Sequence, residues 1–206
     1  MHAVFVHGWG YHAGLWEDVI AFCPELSVSR VDLGFVAGGP AGVETWPEDS
    51  IAIGHSLGLL WLLQQERRFR ALVSVQGFDC FCCHVPTARV AAMCRGLKQN
   101  AAETLGNFWR SCGTPDFADP EDLKIEKLDE GLDWLMKWNA TGKATALDCP
   151  ILALAARDDP IVPATMSASI WGEENVTWSD EGSHALPLRR PEWCADRIKE
   201  FARGLA

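Results

Sequence analysis

The sequence predicts an α/β domain: a mostly parallel sheet of about six strands, helices on both faces, and a short helical insertion between the fourth and fifth strands. Three observations carry this. Short apolar runs alternate with helix-spaced patterns through most of the 206 residues, the arrangement of a parallel sheet with crossover helices. One run passes directly into a helix pattern through Gly54-His55-Ser56-Leu57-Gly58. Residues 78–146 then show no alternating strand pattern and only helical spacing. At this length and 48% hydrophobic content, a single domain over 1–206 can bury a sizeable core, whereas two full domains cannot.

Residues 3–7 form the first strand, a β-rich run closed by Gly8. Leu15, Trp16, Val19 and Ile20 line one side of a helix over 14–22. Strands follow at 28–33 and 50–55, and residues 57–68 read as the helix after the second of these. The next strand is 71–75, closed by Gly77. Over 87–112, Val90, Met93, Cys94, Leu97, Ala101, Leu105 and Phe108 recur at helical spacing. After a polar stretch with Pro115 and Pro120, a second helical pattern carries Leu128, Leu132, Leu135 and Met136. Strands at 151–156 and 176–178 complete the sheet, and 191–205 is a terminal helix with Pro191 in its first turn.

Composition narrows the function classes. A formal net charge of -10 repels a phosphate backbone, so no nucleic-acid partner is expected. No stretch of 18 apolar residues occurs and the start lacks a basic, cleavable leader, so the expectation is a cytoplasmic chain with no membrane partner. Eight cysteines are present. In that compartment a disulfide framework is not expected. Cys80, Cys82, Cys83 and His84 form one short cluster with no second ligand motif to complete a zinc site, so no metal is expected and free thiols are.

The chemistry centres on Ser56. Strand, tight turn and helix are the setting in which a serine hydroxyl is lifted to a helix N-terminus. Such a hydroxyl needs a base to take its proton as it attacks. Among six histidines, His184 stands in a loop after the last strand and before the final helix. That places it at the carboxyl edge of the sheet, where Ser56 also lies. The imidazole needs a carboxylate to fix its tautomer. Asp158 and Asp159, after the strand at 151–156, both qualify, and Asp79 is a further candidate. An oxyanion needs backbone donors. Leu57, after the nucleophile, supplies one, and Trp9, between Gly8 and Gly10, supplies the other.

With these motifs in place, the chain resembles the α/β-hydrolase superfamily. Within it, it is similar to the pimeloyl-[acyl-carrier protein] methyl ester esterases of biotin synthesis. The wider resemblance rests on His7-Gly8-Trp9-Gly10, Gly54-His55-Ser56-Leu57-Gly58, Asp159-Pro160-Ile161-Val162-Pro163 and Ser183-His184-Ala185. The narrower one adds Trp16, Val31-Asp32-Leu33, Ala71-Leu72-Val73-Ser74-Val75 with Cys80 beyond, Phe108, and Gly131-Leu132. It implies an α/β-hydrolase fold with residues 78–146 as a short helical lid. It implies Ser56 as nucleophile, His184 as base and Asp159 as acid, with Trp9 and Leu57 binding the ester carbonyl. Phe108, Trp109, Arg110, Ser111 and Cys112 would line an acyl channel. The implied partner is a small acyl ester presented on an acyl-carrier protein, cleaved without a cofactor.

Overall fold

The computed structural model describes residues 1–205, apart from the side chain of residue 145. Six strands, β1 (His2–Val6), β2 (Ser27–Val31), β3 (Ile51–His55), β4 (Ala71–Val75), β5 (Ile151–Ala156) and β6 (Val176–Ser179), form one sheet in the order β2-β1-β3-β4-β5-β6. Every neighbouring pair is parallel. The sheet is covered on both faces, so β3 and β4 are buried along their whole length and read as near-continuous apolar runs, interrupted by His55 at the end of β3 and Ser74 in β4, rather than alternating ones. The chain steps outward from β1 to β2 and then returns to the other side of β1 as β3. That reversal opens a crevice at the carboxyl ends of β1 and β3, the place where open α/β sheets bind ligands.

Helices occupy the connections. A 3-10 turn (Ala13–Trp16) leads into α1 (Glu17–Ala21), so the segment expected as one helix over 14–22 changes its winding at Trp16. Helix α2 (Leu57–Leu63) stops five residues before the expected end. Beyond it Arg67 is drawn away to Trp46, donating to its carbonyl at 3.2 Å and lying 4.5 Å over its ring. Tertiary contact here overrides helix propensity.

Between β4 and β5 lie α3 (Thr87–Gln99), α4 (Ala101–Ser111), α5 (Ile125–Lys137) and the short α6 (Lys143–Ala146). The pattern read as one helix over 87–112 is broken at Asn100, whose backbone is extended. Its side chain accepts from the Glu103 N–H at 3.1 Å and so starts α4 afresh. Helix α7 (Ala164–Trp171), begun after Pro163, and the short α8 (Leu186–Arg189) have no counterpart in the sequence reading. Helix α9 (Pro191–Arg203) closes the chain as expected.

The cysteine expectation needs one correction. Cys80 and Cys83 form a disulfide. The turn after β4 brings their Cα atoms to 5.5 Å, inside the range a disulfide spans. Short-range geometry alone joins them, without any wider framework. The other six cysteines are free. Among the described residues no three His, Cys, Asp or Glu side chains gather as a metal site, and no helix is long and apolar enough to cross a membrane.

Candidate active site

Ser56 sits between β3 and α2 with φ 52° and ψ −123°. Both flanking glycines are required by close approach. A Cβ on Gly54 would stand 2.5 Å from the Leu59 backbone, and one on Gly58 would stand 2.5 Å from the Val6 and His7 carbonyls. The turn can close only with these two side chains missing. Strain of this kind in a non-glycine residue costs about 1–3 kcal/mol and persists where the surroundings impose it.

The Ser56 hydroxyl donates to His184 Nε2 at 3.0 Å, and His184 Nδ1–H donates to Asp159 Oδ2 at 2.8 Å. All three residues are buried. Asp159 has a second set of partners: its Oδ1 accepts from the Ile161 and Val162 N–H groups at 2.7 and 2.9 Å. The carboxylate is thus pinned by its own loop and aimed at the imidazole. Asp158, the other candidate, turns away. It accepts from the Ser183 and Gly182 N–H groups at 2.8 and 3.3 Å. Asp79 is buried beside the turn after β4, and its backbone carbonyl accepts from Ala140 N–H.

The N–H of Leu57 opens α2, and neither it nor that of Trp9 has a hydrogen-bond partner among the described residues. Both residues border the cavity that reaches Ser56. The loop carrying Trp9 is firmly held. Its indole donates to the Leu128 carbonyl at 2.8 Å, and the Trp109 indole donates to the Gly10 carbonyl at 2.8 Å. Beneath it, Leu33 N–H donates to His7 Nε2 at 2.8 Å, so the ring proton lies on Nδ1 and goes to the Gly8 carbonyl at 2.9 Å. Asp32, 3.3 Å from that Nε2, instead takes the Ala13 and Gly34 amides at 3.0 and 2.7 Å. Burial opposes its ionisation; the His7 ring beside it, and then the Ala13 and Gly34 amides, overcome this and hold the carboxyl below the usual carboxylate range.

The cavity has a volume of about 100 Å³. Phe78, Phe81 and Val85 come from the segment after β4, Val90 and Met93 from α3, Phe108 from α4 and Leu135 from α5. Arg89, at the start of α3, is the one cation on a wall that is otherwise apolar away from the triad. Of the five residues 108–112 expected on an acyl channel, Phe108 faces the cavity. Trp109 is turned inward to Gly10. Arg110 is exposed and pairs with Asn107. Ser111 borders an outer groove. Cys112 is buried, its carbonyl accepting from Ala185 N–H at 3.3 Å. Successive residues of α4 point around a helix, so one in this run can face the site.

Two residues that hold the loop carrying His184 were outside the sequence reading of the site. His55 Nε2–H donates to the His184 carbonyl at 2.9 Å, leaving Nδ1 buried without a partner. Complete burial, and then the nearby His184 ring, hold the His55 pKa well below the usual histidine value. Gln76, just past β4, donates to the Ser183 carbonyl at 2.8 Å. The position of His55 inside the elbow motif could have flagged it. A glutamine after a strand carries no comparable signal.

No family model matches the chain. The chain resembles curated proteins named pimeloyl-[acyl-carrier protein] methyl ester esterase. That from Yersinia enterocolitica is 23% identical over 97% of this chain and 92% of the relative. That from Klebsiella pneumoniae strain 342 is 26% identical over 92% and 89%. Among solved structures, an esterase from Exiguobacterium antarcticum superposes with a TM-score of 0.79 at 14% identity, covering 98% of this chain and 92% of that one. A bromoperoxidase from Bacillus anthracis superposes with a TM-score of 0.77 at 13% identity, covering 98% and 91%. The fold is therefore the α/β-hydrolase fold.

Proposed function

We propose that this chain is a serine carboxylesterase that works through an acyl-serine intermediate, with residues 78–146 as its lid. The observation that carries the reading is the unbroken relay Ser56–His184–Asp159, at 3.0 and 2.8 Å, at the end of an apolar cavity. Ser56 Oγ attacks the ester carbonyl as His184 Nε2 takes its proton. Asp159 holds the imidazole in the tautomer that can do this and stabilises the imidazolium. The Leu57 and Trp9 amides take the oxyanion. His184 then protonates the leaving alcohol, and water repeats the sequence to release the acid and free Ser56. No step calls on a metal or organic cofactor.

The substrate we propose is a pimeloyl-[acyl-carrier protein] methyl ester, as in biotin synthesis. The names of the curated relatives support it, and so does the cavity, whose walls suit a methylene chain. A carrier would approach over α3, where Arg89 and Arg95 are exposed. The neighbouring flank, residues 116–133, whose helix α5 packs against α3 with Lys98 3.7 Å from Asp129, carries eight carboxylates against Lys124 and Lys127. That acidic flank favours a second reading, a short-acyl carboxylesterase or thioesterase without a carrier. A perhydrolase would use the same triad, and the bromoperoxidase likeness supports that only at the level of fold. The test is hydrolysis of methyl pimeloyl-carrier protein beside p-nitrophenyl butyrate. A preference of about a hundredfold in kcat/KM for the carrier-bound ester, ~2.7 kcal/mol of transition-state binding, supports the carrier reading. Cleavage of the small ester alone leaves the short-acyl esterase, and peroxide-dependent oxidation would point to the perhydrolase.

A further inference from the structure

The loop Gly182–His184 presents the base, and side chains from three strand ends pin it at four backbone groups. Gln76 donates its amide N–H to the Ser183 carbonyl at 2.8 Å, while its Oε1 accepts from Ala156 N–H at 3.1 Å. His55 donates to the His184 carbonyl at 2.9 Å. Asp158 accepts from the Ser183 and Gly182 N–H groups at 2.8 and 3.3 Å. These residues stand at or just past the ends of β3, β4 and β5, which are adjacent in the sheet. The clamp acts on strained backbone: Ser183 has φ 53° and Gln76 itself φ 52°. Each such residue carries a penalty of about 1–3 kcal/mol that surrounding contacts must offset.

We infer that Gln76 is a positioning residue for the base: its carboxamide, wedged between β5 and the base loop, sets His184 in reach of Ser56 and Asp159. The inference rests on the ester-hydrolase reading of the triad. Chemistry at position 76 is demanding. One planar group must offer a donor to a carbonyl and an acceptor to an N–H, in a site where the side chain is 1% exposed and water cannot stand in. A carboxamide does both. A protonated carboxyl also does both, whereas an ionised carboxylate sets a second acceptor against the Ser183 carbonyl. A thioether of similar size offers neither bond.

The experiment compares the wild type with Gln76→Met and Gln76→Glu. It measures kcat and KM on p-nitrophenyl butyrate from acid to mildly alkaline pH, and the low-field proton resonance of the His184 Nδ1–H. Misplacing a base by a fraction of an ångström lowers turnover rather than binding. Gln76→Met should therefore lose about tenfold or more in kcat with KM within about twofold, and its low-field resonance should broaden or vanish. Gln76→Glu should work near the wild-type rate in acid, where burial keeps the new carboxyl protonated. It should fall toward the methionine variant as pH rises, while the wild type does not. A side chain that merely fills space would show no such rescue. Wild-type kcat and an intact resonance in Gln76→Met would overturn the inference, as would a Gln76→Glu profile parallel to wild type. If the wild type cleaves no ester, the ester-hydrolase reading fails. The resonance then still decides the clamp: its loss in Gln76→Met supports it and its persistence overturns it. Should Gln76→Met fail to fold, the pH profile of Gln76→Glu decides.

Discussion

The two adjacent aspartates after β5 are chemically alike and differ only in where their loop points them. Asp159 faces the imidazole at 2.8 Å, and Asp158 faces two backbone amides. Asp159→Asn should lower kcat/KM by about 10³–10⁴-fold, because an amide stabilises the wrong tautomer and no imidazolium. Asp158→Asn keeps one acceptor for the loop and should stay within about tenfold of wild type. Steady-state kinetics on one small ester separate the two, and equal losses would contradict the assignment. His55 offers a second prediction at this scale. Its pKa is pushed well down in the folded chain by burial, so below about 6.5 the unfolded chain takes up a proton that the folded chain refuses. Stability should then fall with pH by up to ~1.4 kcal/mol per unit from this site. His55→Gln, which keeps a donor for the His184 carbonyl, should lack that component. Its denaturation midpoint should gain on the wild type in mild acid, and parallel pH dependences would contradict the account. The meeting of Ser56 and His184 was legible in the sequence because motif and position coincide. Asp158 and Asp159 were not separable from spacing, since the choice lies in a loop's conformation.

Helix α4 is tied to the loop after β1. Trp109 donates its indole N–H to Gly10 across 99 residues of sequence. Trp109→Phe keeps most of the apolar area but leaves a buried carbonyl unpaired, a loss of about 1–3 kcal/mol. The melting temperature should drop by several degrees, and an unchanged melt would show that the bond contributes nothing. At the other end of α4, Asn100 caps the helix, and Asn100→Ala should cost about 1 kcal/mol of stability. Strands β4 and β5 were readable to the residue, because buried parallel strands are near-continuous apolar runs between breakers, Ser74 being the one polar residue in either. The break at Asn100 was hidden because apolar spacing continues across it, although Asn100 and Glu103 stand at capping-box spacing. Helix α7, Ala164–Trp171, was hidden because it carries no charged residue and its polar residues, Thr165, Ser167 and Ser169, fall at every second position, a spacing that sets no helical period.

The molecule as a whole is acidic, at -10, and its exposed cations near the cavity mouth lie on α3. If a carrier protein presents the ester, replacing Arg95, which does not line the cavity, by Glu should raise KM for the carrier-bound ester by about threefold or more at low salt. KM for p-nitrophenyl butyrate should hardly move, and added salt should narrow the gap. Equal effects on both substrates would contradict a docking role for Arg95. The overall architecture was legible from the alternation of strand and helix patterns. The surface that meets a partner was not, because it is assembled from helices whose facing only the fold decides. The central claim is that Ser56 is the activated nucleophile, and it is tested most directly by treating the protein with a fluorophosphonate and mapping the adduct by mass spectrometry. The account predicts one phosphonyl group, on Ser56, abolished in His184→Ala. An unlabelled Ser56 in folded protein, or a label placed elsewhere, would contradict it.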